Sequence, residues 1–417
     1  MKEFKETLSV EEATRLLYKN IRMKELEVEE VYLKDGLNRI LGKDVIAPVN
    51  LPPFDKSAVD GYAVIAEDTF GASQTNPCIL TVIGSVRIGE VPDLKVGRLE
   101  AVEVSTGSII PHGADAVVMV ENTKRIDEGR IEVYLSVAPG ENVSRMGEDI
   151  KKGDTVLRKG TRLKPQHLGV LASLGFVKVS VFRMPKVAVL STGDELAELG
   201  TSVATGKTID VNRLIISSMV EELGGKAIDL GIAPDDIDAI VSKLRMGLKE
   251  ADIIVVSGGT SVGKSDLVPE AVNRLGKPGV IAHGISIRPG MPTGIGVVDE
   301  RPIVMLSGYP IAAIVGFNLF VKPLLLRLLS TQEEPKPTIR GKVMRRIPHP
   351  TGLRTFVRVL VKKMGDEYFV EPLRASGSGI LTSMTRANGI LVIPENVEGY
   401  EVGDLVEVTL IGPVMEG

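Results

Sequence analysis

From Val179 onward, continuous apolar runs alternate with amphipathic stretches: KVAVLSTGDEL, NRLIISSMVEELG, KAIDLGI, DDIDAIVSKLRMGLK, DIIVV, GVIAHGI and RPIVMLSG, followed by a long apolar helix from Pro310 to Ser330. Runs rich in Val and Ile predict strands buried on both faces, and the helical period of the intervening segments predicts crossover helices. This alternation predicts a mostly parallel sheet covered by helices on both faces. Ligands of such sheets bind beyond the C-terminal ends of the strands. The loops STGDE (191–195), SGGTSVGKSD (257–266) and LSGYP (306–310) are therefore expected to converge.

The preceding chain has a different pattern. Residues 1–47 are predicted to be helical: Ser9 and Glu12 form a capping box ahead of EEATRLLYKNI, and a second helix ends near Gly42. Pro52 and Pro53 forbid a helix, Asp60-Gly61 signals a turn, and short β runs then follow to about Tyr134. The turn-rich segment from Ala138 and the helix PQHLGVLASLG, with Pro165 in its first turn, cannot bury a core alone, so this segment is expected to return to the N-terminal helices. TQEEPKPT reads as a linker, and residues 339–417 return to short strands, a small barrel or sandwich. The resulting division is a discontinuous first domain (1–47 and 139–178), a β-rich domain (48–138), an α/β domain (179–330) and a C-terminal β domain (331–417).

Composition narrows the function. A chain of 417 residues, 43% apolar and 25% charged, is globular and too long for one ordinary core. A net charge of −4 gives no reason to expect nucleic acid as a partner. The single Cys78 excludes an intrachain disulfide frame and any Cys-rich metal site, and with no signal sequence at the N-terminus a cytoplasmic location is expected. Ile303 to Val321 carries no charge, but Gly308, Tyr309 and Pro310 break it, so a buried strand–turn–helix is expected there and no membrane span.

Within the second of these loops, Gly258 to Ser265 reads GGTSVGKS, a full match to the P-loop pattern. A strand, a glycine loop and a helix start together suit an anion, because unpaired backbone N–H groups and the helix dipole face it. Asp266 directly after the Ser and Pro269 in the first helical turns count against a nucleotide P-loop. The loop alone leaves three readings open: a P-loop NTPase, another anion site, and a structural turn. Carboxylates in polar loops stand out: Asp60, Asp149, Asp194, Glu195, Asp210 and Asp266. Mg²⁺ takes one or two carboxylates and leaves its other positions to water and phosphates, which nominates Asp210 with Asp266. Any single such Asp can equally cap a helix or close a turn. Arg145, Lys207, Arg213, Lys264 and Arg288 are the candidate cations, and Arg288, ahead of Pro289-Gly290, could grip an oxyanion with its fork. His112, His167, His283 and His349 make no metal spacing and read as structural, and no nucleophile–base pair is apparent.

Taken in order, PPFDKSAVDGYAV, VSTGSIIPHGADAVVMVE, NVSRMGEDI, VLSTGDEL, IDVNR, SGGTSVGKSD and GSGILTSMTRANGILVIPE resemble the MoeA family of molybdopterin molybdenumtransferases, which includes the gephyrin E domain. The resemblance covers nearly the whole chain. It implies a MogA-like doubly wound α/β domain with a β-rich inserted domain, a discontinuous helical linker domain and a C-terminal small β-barrel. It also implies an elongated homodimer, each active site lying between the α/β domain of one subunit and the β-rich domain of the other. The implied activity takes adenylated molybdopterin and molybdate, or tungstate, with Mg²⁺, and yields molybdenum cofactor and AMP. The molybdopterin adenylyltransferase is a further implied partner. By resemblance, Asp60, Thr106, Asp149, Glu195, Asp210 and Asp266 match functional positions, with Asp210 and Asp266 as metal ligands. The implied substrate-binding set is Thr192, Gly193, Ser257, Gly258, Gly259, Ser261, Gly263, Arg288, Ser307 and Pro310.

Two departures fall at the expected oxyanion site. Arg288-Pro289-Gly290-Met291-Pro292 stands where many members carry K-P-G-K-P, and Ser307-Gly308-Tyr309-Pro310, followed by Ala312, stands where P-G-N-P and often a Ser are found. They bear on which oxyanion is used, and they keep a scaffold that has lost catalysis as an alternative beside the NTPase.

Overall fold

The structure is a computed structural model that describes residues 7–202, 204–259, 267–373 and 380–416. Backbone contacts divide the chain into two units, one of residues 1–29, 38–40 and 181–417 and the other of 30–37 and 41–180.

In the first unit, helix α1 (Val10–Asn20) precedes strand β1 (Lys186–Thr192), helix α2 (Asn212–Glu222), strand β2 (Lys226–Ala233), helix α3 (Ile237–Glu250), strand β3 (Ile253–Ser257) and helix α4 (Leu267–Leu275). Then come strands β4 (Pro278–His283), β5 (Ile287–Arg288), β6 (Gly294–Val298) and β7 (Arg301–Leu306), and helix α5 (Pro310–Leu328). The sheet order is β2-β1-β3-β7-β6-β4. Neighbours from β2 through β7 run parallel, and β6 is antiparallel to both β7 and β4.

Alternate residues of the central strands enter opposite cores, which is why these strands read as unbroken apolar runs. Val187, Val189, Ile253 and Val255 pack with α1, α2 and α5 on one face. Ala188, Leu190, Ile254 and Val256 pack with α3 and α4 on the other. The sheet is therefore doubly wound.

Three expectations are corrected. Strand β6 went unread because Gly294 and Gly296 weaken its strand signal. A Cβ on them would lie 2.6 Å from Met305 Cε and 2.7 Å from Val272 Cγ1, so the missing side chains make room for β7 and α4. The second N-terminal helix is absent. Residues Val28–Tyr32 form a strand and Leu33–Asp35 a single 3₁₀ turn, because this stretch has no apolar stripe to bury and Asn38 takes a left-handed φ of 63°. Helix α1, capped by Ser9 and Glu12 as expected, buries Val10, Ala13 and Leu17 in the α/β core with Ile295, Val297 and Phe320, and so belongs to the α/β unit.

Beyond α5, strands β8 (Thr338–Val343), β9 (Arg354–Met364), β10 (Glu367–Pro372), β11 (Gly389–Ile393) and β12 (Leu405–Leu410) pair in the circuit β9-β10-β8-β12-β11-β9 and close a small barrel. Strand β5 joins this barrel, with Ile287 opposite Arg354 and Arg288 opposite Thr355 in parallel. Helix α5 is long and apolar enough to cross a membrane by composition, but most of it is buried in the α/β core.

The second unit is built on a six-stranded sheet that includes Gly61–Val64, Cys78–Val86, Glu100–Val104, Ala116–Met119 and Arg130–Val133. Two distant segments close beside it. Val45–Ile46 pairs antiparallel with Thr155–Leu157, and the Leu41 N–H donates to Thr161 O at 3.0 Å. Helix Pro165–Ser173 follows with Pro165 in its first turn, as the sequence indicates.

Candidate functional site

The loops after β1, β3 and β7 converge. Glu195, Gly258, Gly259, Ser307, Gly308 and Tyr309 line one side of a cleft of about 980 Å³. The turn Arg288 to Pro292 lines it as well, and the barrel closes it with His349, Phe356 and Arg358.

The glycine cradle is fixed by its neighbours. Gly258 has φ +94° and donates its N–H to Leu306 O at 3.2 Å, and a Cβ there would fall 2.4 Å from Thr192 O. At Gly259, φ +61°, a Cβ would come within 2.8 Å of Thr192 Oγ1. A side chain at either position would collide with β1, so the bare backbone can meet a ligand closely. Thr192 is buried, and its Oγ1 has no hydrogen-bond partner among the described residues. Gly193 (φ +148°) turns the chain so that the Glu195 carboxylate folds back over it, within 2.5 Å of where a Cβ would sit.

Asn212 ties the strand ends together. Its Nδ2 donates to Ser257 Oγ at 2.7 Å and to Gly308 O at 2.8 Å, while Ser257 Oγ donates to Ser307 O at 3.4 Å. Ser307 Oγ in turn accepts the Tyr309 N–H at 3.3 Å, one residue before Pro310 opens α5. Sequence reasoning misses Asn212; an amide at the start of an amphipathic helix, two residues after the loop carboxylate Asp210, is the available signal.

Charge is distributed unevenly. Arg213 faces three carboxylates: Asp210 Oδ2 lies 3.3 Å from its Nε, Asp229 Oδ1 lies 3.1 Å from one terminal nitrogen, and Glu198 holds the other. Burial works against its positive charge, but Glu198, Asp229 and Asp210 outweigh that and raise its pKa. Arg213 is thus already neutralised and is no anion-binding cation, contrary to the expectation from its position. Asp210, with a side chain 1% exposed, also accepts the Arg213 backbone N–H at 3.2 Å. Lys207 is turned to Asp194 O, and Asp194 accepts the Asp235 N–H at 3.2 Å, so this pair closes a turn.

Arg288 and Arg358 stand in contrast. Arg288 is exposed at the cleft, and its side chain has no hydrogen bond or ion pair among the described residues. Arg358 has only Ser383 Oγ at 3.3 Å, and burial without an acidic partner among the described residues lowers its pKa. Sequence reading missed Arg358, since nothing in VRVLVKK marks which cation faces inward. His349, 7% exposed, has both ring nitrogens engaged, by Val397 O at 2.9 Å and Thr355 Oγ1 at 2.7 Å, in keeping with a structural role.

In the second unit, Asp60 accepts the Thr106 N–H at 2.7 Å and the Thr106 hydroxyl at 3.0 Å, which lowers its pKa. Asp149 lines a cavity of about 510 Å³ with Lys56, Gly107, Ser144 and Glu148. Ser261, Gly263, Lys264 and Asp266 lie outside the described residues.

Comparison with known proteins accounts for the whole arrangement. Profiles of the MoeA N-terminal region (domains I and II), of a probable molybdopterin binding domain and of the MoeA C-terminal region (domain IV) match residues 8–175, 188–327 and 340–411. A putative molybdopterin biosynthesis protein of Methanocaldococcus jannaschii is 40% identical over 99% of this chain and 100% of its own. The molybdopterin molybdenumtransferase of Bacillus subtilis is 34% identical, over 93% of this chain and 91% of its own. The crystal structure of a MoeA protein of molybdopterin biosynthesis from Pyrococcus horikoshii superposes with a TM-score of 0.84 at 36% identity, covering 97% of this chain and 100% of that one. On the order of its motifs, the three profiles and the shared fold, the chain belongs to the MoeA family.

Proposed function

We propose that this chain is a cytoplasmic molybdopterin molybdenumtransferase that inserts molybdate or tungstate into adenylated molybdopterin and releases AMP. The observation that carries the reading is the Gly258–Gly259 cradle, backed by the unpartnered Thr192 Oγ1 and opening on a cleft whose cations, Arg288 and Arg358, have no carboxylate partner among the described residues. Unpaired guanidinium groups beside bare backbone suit a dianionic oxyanion and a phosphate together. Family membership replaces the P-loop NTPase reading of 258–265.

The chain's own residues bind and orient. The cradle meets the pterin phosphate, Arg288 and the backbone at Ser307 hold the oxyanion, and Asn212 keeps the two loops in register. Mg²⁺ belongs to the proposal. Asp210 Oδ2 is a buried acceptor without a hydrogen bond, though Arg213 Nε is 3.3 Å away, and one or two carboxylates suffice for this ion. Asp210 with Asp266 would hold it, and it would supply charge neutralisation on the phosphates. Asp60, Thr106 and Asp149 are assigned to the same reaction by family resemblance, in a homodimer whose mass sedimentation would report, with the molybdopterin adenylyltransferase as the supplier of substrate.

Reconstitution of the purified chain with adenylated molybdopterin, Mg²⁺ and either oxyanion is the direct test. AMP release coupled to cofactor that activates an apo-molybdoenzyme is expected, and chelation of Mg²⁺ is expected to stop it. Absence of AMP release with both oxyanions from a folded chain would overturn the reading.

A further inference from the structure

We propose that Tyr309 forms a stacking platform for the planar heteroaromatic ring carried by the substrate's phosphate. The inference rests on the transferase reading for its ligand. Tyr309 is 60% exposed and lines the cleft, so its ring adds little to the core. Its backbone is held firmly: the N–H donates to Ser307 Oγ at 3.3 Å, and its carbonyl accepts the Ala313 N–H at 2.9 Å as α5 begins. The ring therefore projects from a fixed base.

Its place relative to the cradle fits the role. A Cβ on Gly308 would lie 3.6 Å from Gly258 Cα, so the loop that carries Tyr309 abuts the cradle that would receive the phosphate. The barrel supplies Phe356 and Val357 to the same cleft. An anion cradle beside an open aromatic face matches a ring bearing a phosphate, which describes both a pterin phosphate and AMP. Aromatic stacking on such rings tolerates differences between heterocycles.

Two probes separate these sources: a fluorescent pterin monophosphate and AMP, each titrated against the full chain and against Tyr309→Phe and Tyr309→Ala. The chain has no Trp, so pterin emission excited above the tyrosine band reports stacking directly. Tyr309→Ala is expected to bind one of the two probes about tenfold more weakly and to lose the quenching, with Tyr309→Phe within about twofold of the parent. Competition by inorganic phosphate should be the same for all three proteins. Equal binding by Tyr309→Ala, or an equal loss in Tyr309→Phe, which would assign the effect to the hydroxyl, overturns the proposal. If the parent chain binds neither probe, the transferase reading itself fails.

Discussion

Arg213, in the first turn of α2, and Arg288, in β5, belong to the same unit, but they are in opposite states. Arg213 is enclosed by Asp210, Glu198 and Asp229, whereas Arg288 faces an open cleft and makes no ion pair among the described residues. The first arrangement holds a carboxylate and a helix start in place; the second keeps a cation available. The same guanidinium is sequestered in one corner and open in the other, and the difference lies in which carboxylates the fold brings close.

The most severe way to break this contrast is Arg213→Met. It leaves Asp210 buried without its cation, and a loss of about 3 kcal/mol in urea unfolding is expected. Unchanged stability would mean that the acidic corner does not need its arginine. Next in size, Arg288→Ala should leave stability within about 0.5 kcal/mol but weaken binding of adenylated molybdopterin or oxyanion by roughly ten- to a hundredfold. A stability loss instead would put Arg288 in the same class as Arg213.

The smallest effect sharpens the comparison with a third arginine. Arg183 grips Asp252 at 2.7 and 2.9 Å, and Asp252 also accepts the Lys186 N–H at 2.8 Å. Burial pushes the Asp252 pKa up, but the Arg183 fork and the Lys186 N–H outweigh it and leave the pKa lowered. A lowered carboxylate pKa stabilises the fold above the unfolded value near 3.9, and that contribution is lost as pH falls through the folded value. Asp252→Asn should therefore cost about 1 kcal/mol at neutral pH and flatten the acid limb of a stability–pH curve. An unchanged acid limb would remove this pair from the structural class.

Much of the fold was legible because its signals are local. The unbroken run Ile253–Ser257 marks a strand buried on both faces, Ser9 with Glu12 marks a helix start, and Gly258-Gly259 marks a tight turn after β3. The parts that were not legible depend on contacts distant in sequence. Gly294 and Gly296 look like turn residues until Met305 and Val272 are seen against them. Arg213 looks available until Asp229 and Glu198 close on it, and Arg358 looks like one more surface cation until the barrel turns it inward. Tyr309 and Met291 are visible in the sequence as departures from the family pattern, but only the structure shows that both line the same cleft.

The two-residue strand β5 has one further effect. Arg288 is anchored by pairing with Thr355, so this guanidinium travels with the barrel although its chain neighbours belong to the α/β layer. Any rocking of the C-terminal barrel on its linker would carry the cation toward or away from the glycine cradle. In that sense the barrel is the handle by which the place of this cation at the cleft is set.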